Sequence, residues 1–260
     1  VGVMLINAQN GFEVGSEIQA RYARSHDKPI IAVINQLDSE KASWEASLDS
    51  IRAASQVTPV VVQYPVNPGP DFNAFIDVLL MKMYKFKGDT GIREELDIPA
   101  EEMERATELN RILTEAAAEN DEALMELYFE KGVLTQDELR SGLKLGLAKR
   151  DLIPVFCASG KRDIGAKRLM EFIINVAPGP LKAPNFVTVD GREIEPDSNG
   201  PTALFVFKTT VEPHLGEVTY FRVVSGKVTE GMELVNSKTG NKEKISQLFA
   251  VAGKNRVKVT

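Results

Sequence analysis

The segment from Lys28 to Asp38 constrains the fold of this chain more than any other. It reads Lys-Pro-Ile-Ile-Ala-Val-Ile-Asn-Gln-Leu-Asp, so an unbroken apolar run, residues 30–34, leads directly into a polar loop. Such a run is typical of a strand buried on both faces, as in a parallel sheet covered by helices. In open α/β sheets, ligands bind beyond the carboxyl ends of the strands. The loop 35–38 therefore lies where a ligand site is expected.

This loop carries Asn35 and Asp38, three residues apart. The two carboxylate oxygens of Asp38 can accept hydrogen bonds from the N1 and N2 groups of guanine, whereas adenine offers no such pair of donors. Hydrogen bonds to a charged group contribute about 1.5–3 kcal/mol each. The side chain of Asn35 can face the base and tie neighbouring loops together. The alternative is structural, because Asp38 can equally cap a helix that begins at Ser39.

Strand-like and helical patterns alternate on both sides of this segment. We predict strands over 1–6, 30–34, 60–64 and from 152, and helices over about 13–25, 39–54 and 165–176. This alternation predicts an α/β fold with a mainly parallel, doubly wound sheet.

The pattern changes between residues 71 and 151. The run 75–86 predicts sheet segments with one exposed side, and helices are expected to begin near Ile98 and Asn120. Thr135 and Glu138 have the spacing of a capping box, which predicts a further helix. We therefore expect an inserted α+β subdomain here.

The last part of the chain is predicted to be all β. Ala177-Pro178-Gly179-Pro180 ends the α/β pattern, and residues 179–200 are predicted to be a linker. Period-two alternation over 202–209 and 216–223, with glycines between later segments, indicates a small barrel over 201–260.

Composition excludes several classes of protein. The 260 residues are 43% hydrophobic and 26% charged, which is ordinary for a globular protein. No apolar run approaches the about 20 residues of a membrane span, so no membrane partner is expected. The single Cys157 excludes an internal disulfide and suits a reducing cytoplasm, and two scattered histidines cannot build a conventional zinc site. The formal net charge of −6 argues against gross attraction to nucleic acid.

A second polar loop follows the strand that begins at Leu152. In Cys157-Ala158-Ser159-Gly160, a backbone N–H can reach guanine O6 while the Ser159 hydroxyl braces the loop. Alone, this is an ordinary turn between a strand and a helix. Next to the loop 35–38 on a neighbouring strand, it would form the second half of one base pocket.

With these motifs, the chain resembles the elongation factor G family of translational GTPases. Asn35-Gln36-Leu37-Asp38 falls where the family has its Asn-Lys-x-Asp motif, and Cys157–Gly160 falls where it has its Gly-Ser-Ala loop. The run Phe75–Tyr84 resembles the subdomain inserted in the family's GTP-binding domain. Phe221–Gly231 resembles the barrel signature of its second domain.

The resemblance implies that residues 1–70 and 152–178 are the distal part of the GTP-binding domain, 71–151 its inserted subdomain, and 201–260 part of the second domain. It further implies binding of GTP and GDP, with Mg²⁺ in the intact parent, and action in the cytoplasm on the ribosome, meaning rRNA and ribosomal proteins. The implied function is promotion of tRNA and mRNA translocation in bacterial protein synthesis.

By the same resemblance, the nucleotide-binding residues are Asn35, Gln36, Asp38, Ser159 and Gly160. Gln36 replaces the family lysine, whose stem lies along the purine ring, so weakened guanine affinity is expected. Gly160 replaces the family alanine and keeps the backbone N–H.

Other family features are missing from these residues. No Gly-x-x-x-x-Gly-Lys-[Ser/Thr] occurs, so there is neither a phosphate cradle nor a hydroxyl for Mg²⁺. Asp197-Ser198-Asn199-Gly200 matches an Asp-x-x-Gly pattern by chance. Neither His26 nor His214 corresponds to the family's catalytic histidine. No catalytic residue and no metal ligand is therefore expected.

Because the first and last residues both read as strand, we expect a fragment that does not hydrolyse GTP by itself. Its incomplete barrel is expected to fray or to pair with a second copy through exposed strand edges. Gln36 supports one alternative, a ribosome-binding factor whose dependence on GTP is weakened or lost.

Overall fold

The structure is a computed structural model that describes residues 1–179, 181, 185–213, 216–253 and 255–259. The helices are α1 (Val14–Ser25), α2 (Trp44–Ala54), α3 (Ala100–Ala118), α4 (Glu122–Lys131), α5 (Gln136–Lys149) and α6 (Ala166–Val176). The strands are β1 (Gly2–Asn7), β2 (Ile30–Asn35), β3 (Thr58–Val61), β4 (Gln63–Pro65), β5 (Ala74–Asp77), β6 (Lys82–Phe86), β7 (Arg93–Leu96), β8 (Leu152–Cys157), β9 (Phe186–Val187), β10 (Glu193–Ile194), β11 (Ala203–Glu212), β12 (Gly216–Ser225), β13 (Glu233–Val235), β14 (Lys242–Lys244), β15 (Leu248–Ala252) and β16 (Asn255–Val259).

A parallel four-stranded sheet forms the centre of the first of two units, residues 1–178. Its strands are hydrogen-bonded in the order β1–β2–β8–β3. Residues 31–34 of β2 are almost completely buried, as their unbroken apolar run predicts. Helices α1, α2, α3 and α5 contact strands of this sheet. The predicted α/β class is therefore confirmed.

An antiparallel sheet in the order β4–β5–β6–β7 lies in the same unit. The predicted strand 60–64 divides between the two sheets at Val62, whose N–H donates to Val155 O (2.9 Å) and whose carbonyl accepts from Val78 N–H (2.9 Å). This second sheet thus begins at Gln63, ahead of residue 71. The exposed side predicted for 75–86 is wrong for β5, which is buried throughout because it shares the hydrophobic core with α3.

The start of α2 differs from the prediction. Residues 39–43 form turns, and the helix begins at Trp44 with Ser43 as its N-cap, whose Oγ accepts from Ala46 N–H (3.3 Å). Asp38 lies five residues ahead of the cap, so its predicted alternative role as the cap of this helix is wrong. The capping box of Thr135 and Glu138 at the start of α5 is confirmed.

The second unit, residues 179–260, contains only β-structure among its described strands and helices. Its strands form four two-stranded antiparallel ladders, β9–β10, β11–β12, β13–β14 and β15–β16. These antiparallel strands are consistent with the predicted β-barrel-like domain. Among its described apolar residues, only Val224 and Leu248 are buried. His214 lies outside the described residues, and His26 is exposed at the end of α1.

Candidate functional site

The two predicted loops meet at the carboxyl ends of β2 and β8. These strands are parallel neighbours, with Ile34 in register with Cys157. The backbone joins the loops directly, because Ala158 N–H donates to Ile34 O (2.9 Å) and Leu37 N–H donates to Ala158 O (3.3 Å). Strand order thus brings together residues that lie more than a hundred positions apart in the sequence.

Two further hydrogen bonds join the functional groups of these loops. The Ser159 hydroxyl donates to Asp38 Oδ1 (2.6 Å), and Gly160 N–H donates to Asn35 Oδ1 (2.9 Å). Ser159 is fully buried, whereas Asp38 and Asn35 are half-buried. Among the described residues, none donates a side-chain or backbone hydrogen bond to Asp38 Oδ2. The carboxylate is therefore held by one oxygen and offers the other.

One detail departs from the predicted pocket. A backbone N–H of the second loop is predicted to reach guanine O6, but the N–H of Gly160 in this loop already donates to Asn35 Oδ1. The amide oxygen of Asn35 is the nearest acceptor once the two loops are paired through their backbones. A base oxygen would therefore have to share or displace this hydrogen bond.

Gln36 occupies the exposed side of the first loop. Its φ of 64° lies in the left-handed region, which residues other than glycine seldom adopt. The turn is closed by Ser39 N–H donating to Gln36 O (3.0 Å), and the next residue, Leu37, is fully buried. The Gln36 side chain accepts a hydrogen bond from Gln9 Nε2 (3.4 Å), in the loop that follows β1.

The second loop is closed at both of its ends. Ser159 and Ile164 exchange two backbone hydrogen bonds, of 3.0 and 2.9 Å. Gly165 then starts α6 with a φ of 90°, and a Cβ at this position would lie 2.6 Å from Cys157 O. Only glycine fits this turn without displacing the backbone that leads to Ser159.

Arg162 is a residue of this site that sequence reasoning missed. Its backbone N–H donates to Ser159 Oγ (3.2 Å), and its guanidinium bonds Asp89, Pro70 and Phe72. The only sequence signal is a basic residue soon after Ser-Gly. Its side-chain partners lie 73 to 92 positions away and come close only through the fold.

Two further observations limit the chemistry of the described residues. Burial, together with the nearby charge of Asp77, raises the pKa of the Cys157 thiol well above its usual value, so this thiol is not activated. Within the described ranges, no group of three or more His, Cys, Asp or Glu side chains could hold a metal ion.

No described helix is both long enough and apolar enough to cross a membrane.

Comparison with known proteins defines the class of this chain. Residues 1–179 match the family model of the Elongation factor Tu GTP binding domain, and residues 201–260 match that of Elongation factor G domain 2. The first match covers more than half of the chain. The chain therefore belongs to this family of GTP-binding translation factors, for which the predicted fold class and guanine nucleotide binding are family properties.

A solved structure has the same fold. The crystal structure of ttk003000868 from Thermus thermophilus matches 98% of this chain with a TM-score of 0.83 and 28% sequence identity. The chain spans 36% of the length of that relative.

Proposed function

We propose that this chain is part of an elongation factor G-like translational GTPase and reads the guanine base of its nucleotide. In the intact factor this would support translocation of tRNA and mRNA on the ribosome, with rRNA and ribosomal proteins as partners. The match of residues 201–260 to Elongation factor G domain 2 supports this assignment. A longer parent factor fits the 36% of the solved relative that the chain spans.

The observation that carries the proposal is the pairing of Ser159 with Asp38. Because the hydroxyl donates to Oδ1, the carboxylate is oriented before any ligand arrives. Preorganisation of this kind lowers the entropy cost of binding. Asp38 can then accept from N1 and N2 of guanine, while Asn35 holds the loop of Ser159 and Gly160 beside it. Gln36 flanks the base in this proposal.

The residues present fit the base of GTP but not its phosphates or Mg²⁺. The sequence contains no Gly-x-x-x-x-Gly-Lys-[Ser/Thr], and the described residues contain no cluster of metal ligands. Phosphate contacts and Mg²⁺ usually dominate nucleotide affinity in such enzymes. We therefore propose that these 260 residues bind GDP weakly and do not hydrolyse GTP.

An NMR titration of the 260-residue chain tests this proposal. GDP should shift the amide signals of residues 35–38 and 158–160, with a Kd above about 1 μM. ADP at the same concentrations should leave these signals unchanged and serves as the matched control. Equal shifts with both nucleotides would refute guanine reading. A submicromolar Kd for GDP would refute the claim that the main phosphate contacts are missing here.

Gln36 favours a second candidate function, a ribosome-binding factor with weakened or lost GTP dependence. Glutamine has no ammonium group, and here its side chain is engaged with Gln9. In this candidate the guanine pocket is a remnant and the ribosome is bound without reading the nucleotide.

A further inference from the structure

We propose that Arg162 is a positioning residue that couples the segment 70–89, which runs from the β4–β5 connection to the β6–β7 turn of the second sheet, to the carboxylate of Asp38. The inference rests on the proposed guanine site but assigns a role to a residue outside its two motifs. Its basis is a continuous set of hydrogen bonds from Pro70, Phe72 and Asp89 to Asp38.

The guanidinium of Arg162 is held by three acceptors from that segment. Its Nη1 donates to the carbonyls of Pro70 and Phe72, at 3.0 Å each, and its Nε donates to Asp89 Oδ1 (2.6 Å). The Arg162 side chain is only 22% exposed, whereas Asp89 is 60% exposed. Two of the three acceptors are backbone carbonyls. The position of the Arg162 guanidinium therefore depends on the backbone of residues 70–72 and not only on the side chain of Asp89. A lysine could not reproduce this planar set of contacts.

The backbone of Arg162 acts on the other side, at Ser159. Its N–H donates to Ser159 Oγ (3.2 Å), and the Ser159 hydroxyl donates to Asp38 Oδ1 (2.6 Å). A serine hydroxyl has one proton and two lone pairs. Because one lone pair accepts from Arg162, the proton is directed to Asp38. Hydrogen bonds in such a series also polarise and strengthen one another.

The contact between these regions extends beyond the guanidinium. Gly91, in the turn between β6 and β7, approaches the loop of Arg162 so closely that a Cβ would lie 2.3 Å from Asp163 Oδ2. The turn that carries Asp89 therefore packs directly on the loop 159–164. Displacement of this turn would move Arg162 and release the orientation of Ser159.

Coupling of this kind is reciprocal at equilibrium. A partner that displaces the turn 87–91 should weaken guanine recognition, and a bound guanine should order the turn. The base property most sensitive to Asp38 is the 2-amino group, which inosine lacks. The ratio of guanosine to inosine affinity therefore measures the orientation of Asp38, and nucleosides avoid any effect of phosphate contacts.

The test compares Arg162→Ala, Arg162→Lys and Asp89→Ala in the 260-residue chain. Lys161→Ala is the matched control, since Lys161 is exposed in the same loop and its side chain bonds none of the described residues. Without ligand, hydrogen exchange of the Gly160 amide, which donates to Asn35, reports the order of the loop. With ligand, NMR titrations give the ratio of guanosine to inosine affinity.

We expect Arg162→Ala to lower this ratio about fivefold and to accelerate Gly160 amide exchange by a similar factor, as for loss of one hydrogen bond. For Arg162→Lys, the affinity ratio and the exchange rate should both lie between those of the wild type and those of Arg162→Ala. Asp89→Ala should act in the same direction although Asp89 touches neither loop motif. Wild-type exchange rates and ratios in Arg162→Ala or Asp89→Ala would overturn the coupling. If the wild-type chain does not distinguish guanosine from inosine, the proposed guanine site is wrong, while the exchange rates still decide whether Arg162 orders the loop.

Discussion

At the residue scale, Asn35 and Asp38 divide two tasks. Asn35 joins the loops through Gly160, and Asp38 presents a carboxylate oxygen to which no described residue donates. Asn35→Ala should therefore lower affinity for guanosine and inosine alike, by about fivefold, because the Gly160 N–H loses its acceptor and the loop opens. NMR titration with both nucleosides measures the loss. Asn35→Asp keeps an oxygen acceptor and should bind more tightly than Asn35→Ala. Wild-type binding by Asn35→Ala would contradict this role.

Gln36 decides between the two proposed functions. Glutamine and lysine are equally disfavoured at the left-handed φ of residue 36, so Gln36→Lys should leave the backbone of the loop unchanged. The substitution adds an ammonium group and a longer apolar stem. If the pocket is only weakened, GDP affinity should rise about threefold to tenfold, as for one added charged contact. Gln9→Ala is the control, because it removes the Gln9 contact without adding charge. Unchanged GDP affinity in Gln36→Lys would favour the factor that no longer depends on GTP.

At the scale of elements, a charged network fastens α6 to the second sheet. Arg168 on α6 pairs with the fully buried Asp77 of β5 (2.9 Å) and with Glu171 (2.5 Å), which also pairs with Arg93 of β7 (3.1 Å). Breaking a buried pair on one side leaves an uncompensated charge, which is strongly destabilising. The network thus fixes α6, and with it the loop 159–164 that precedes this helix.

The network predicts a dependence of stability on pH. Burial tends to raise the pKa of Glu171, but hydrogen bonds and charges from Arg168 and Arg93 outweigh burial and lower it. A lowered folded-state pKa contributes stability above the unfolded value of about 4.3, and this contribution is lost as pH falls through the folded value. Glu171→Gln should lower the free energy of unfolding by about 1 kcal/mol at pH 7 and by less below pH 4.

Urea unfolding at pH 7 and at pH 3.5 measures this difference. Glu126→Gln on α4 is the control, since Glu126 is exposed and forms no ion pair with the described residues. A Glu171→Gln deficit that does not shrink in acid would contradict the assigned pKa direction.

At the scale of the whole molecule, the sequence predicted features that depend on local patterns. The unbroken run 30–34 predicted a strand in a parallel sheet, and the capping box predicted the start of α5. The sequence could not predict that 60–64 divides between two sheets, because this depends on the distant partners Val155 and Val78. The contacts of Arg162 could not be predicted for the same reason, because its side-chain partners are also distant in the sequence. The start of α2 was misjudged because both Asp38 and Ser43 are favourable caps.

The two units should differ in local stability. The hydrophobic core lies in residues 1–178, whereas in the second unit Phe205, Val206 and Phe207 of β11 are more than half exposed. Each described strand there pairs with only one neighbour, which leaves edges open to fraying or to a second copy. We predict that amides of 201–259 exchange much faster than those of β2 and β8 in dilute solution. Protection that rises with protein concentration would indicate pairing between copies, whereas strong protection of the dilute monomer would contradict the prediction.

The most direct test of the central claim, that Asp38 reads guanine, is a competition between GDP and xanthosine diphosphate on wild-type chain and Asp38→Asn. Xanthine carries a carbonyl oxygen where guanine has its 2-amino group, and the asparagine amide offers a donor where Asp38 offers an acceptor. The Ser159 hydroxyl can still donate to the remaining oxygen of the asparagine. The wild type should prefer GDP, and Asp38→Asn should prefer xanthosine diphosphate, with the ratio of affinities changing at least about tenfold. The same preference in both proteins would show that Asp38 does not contact the base.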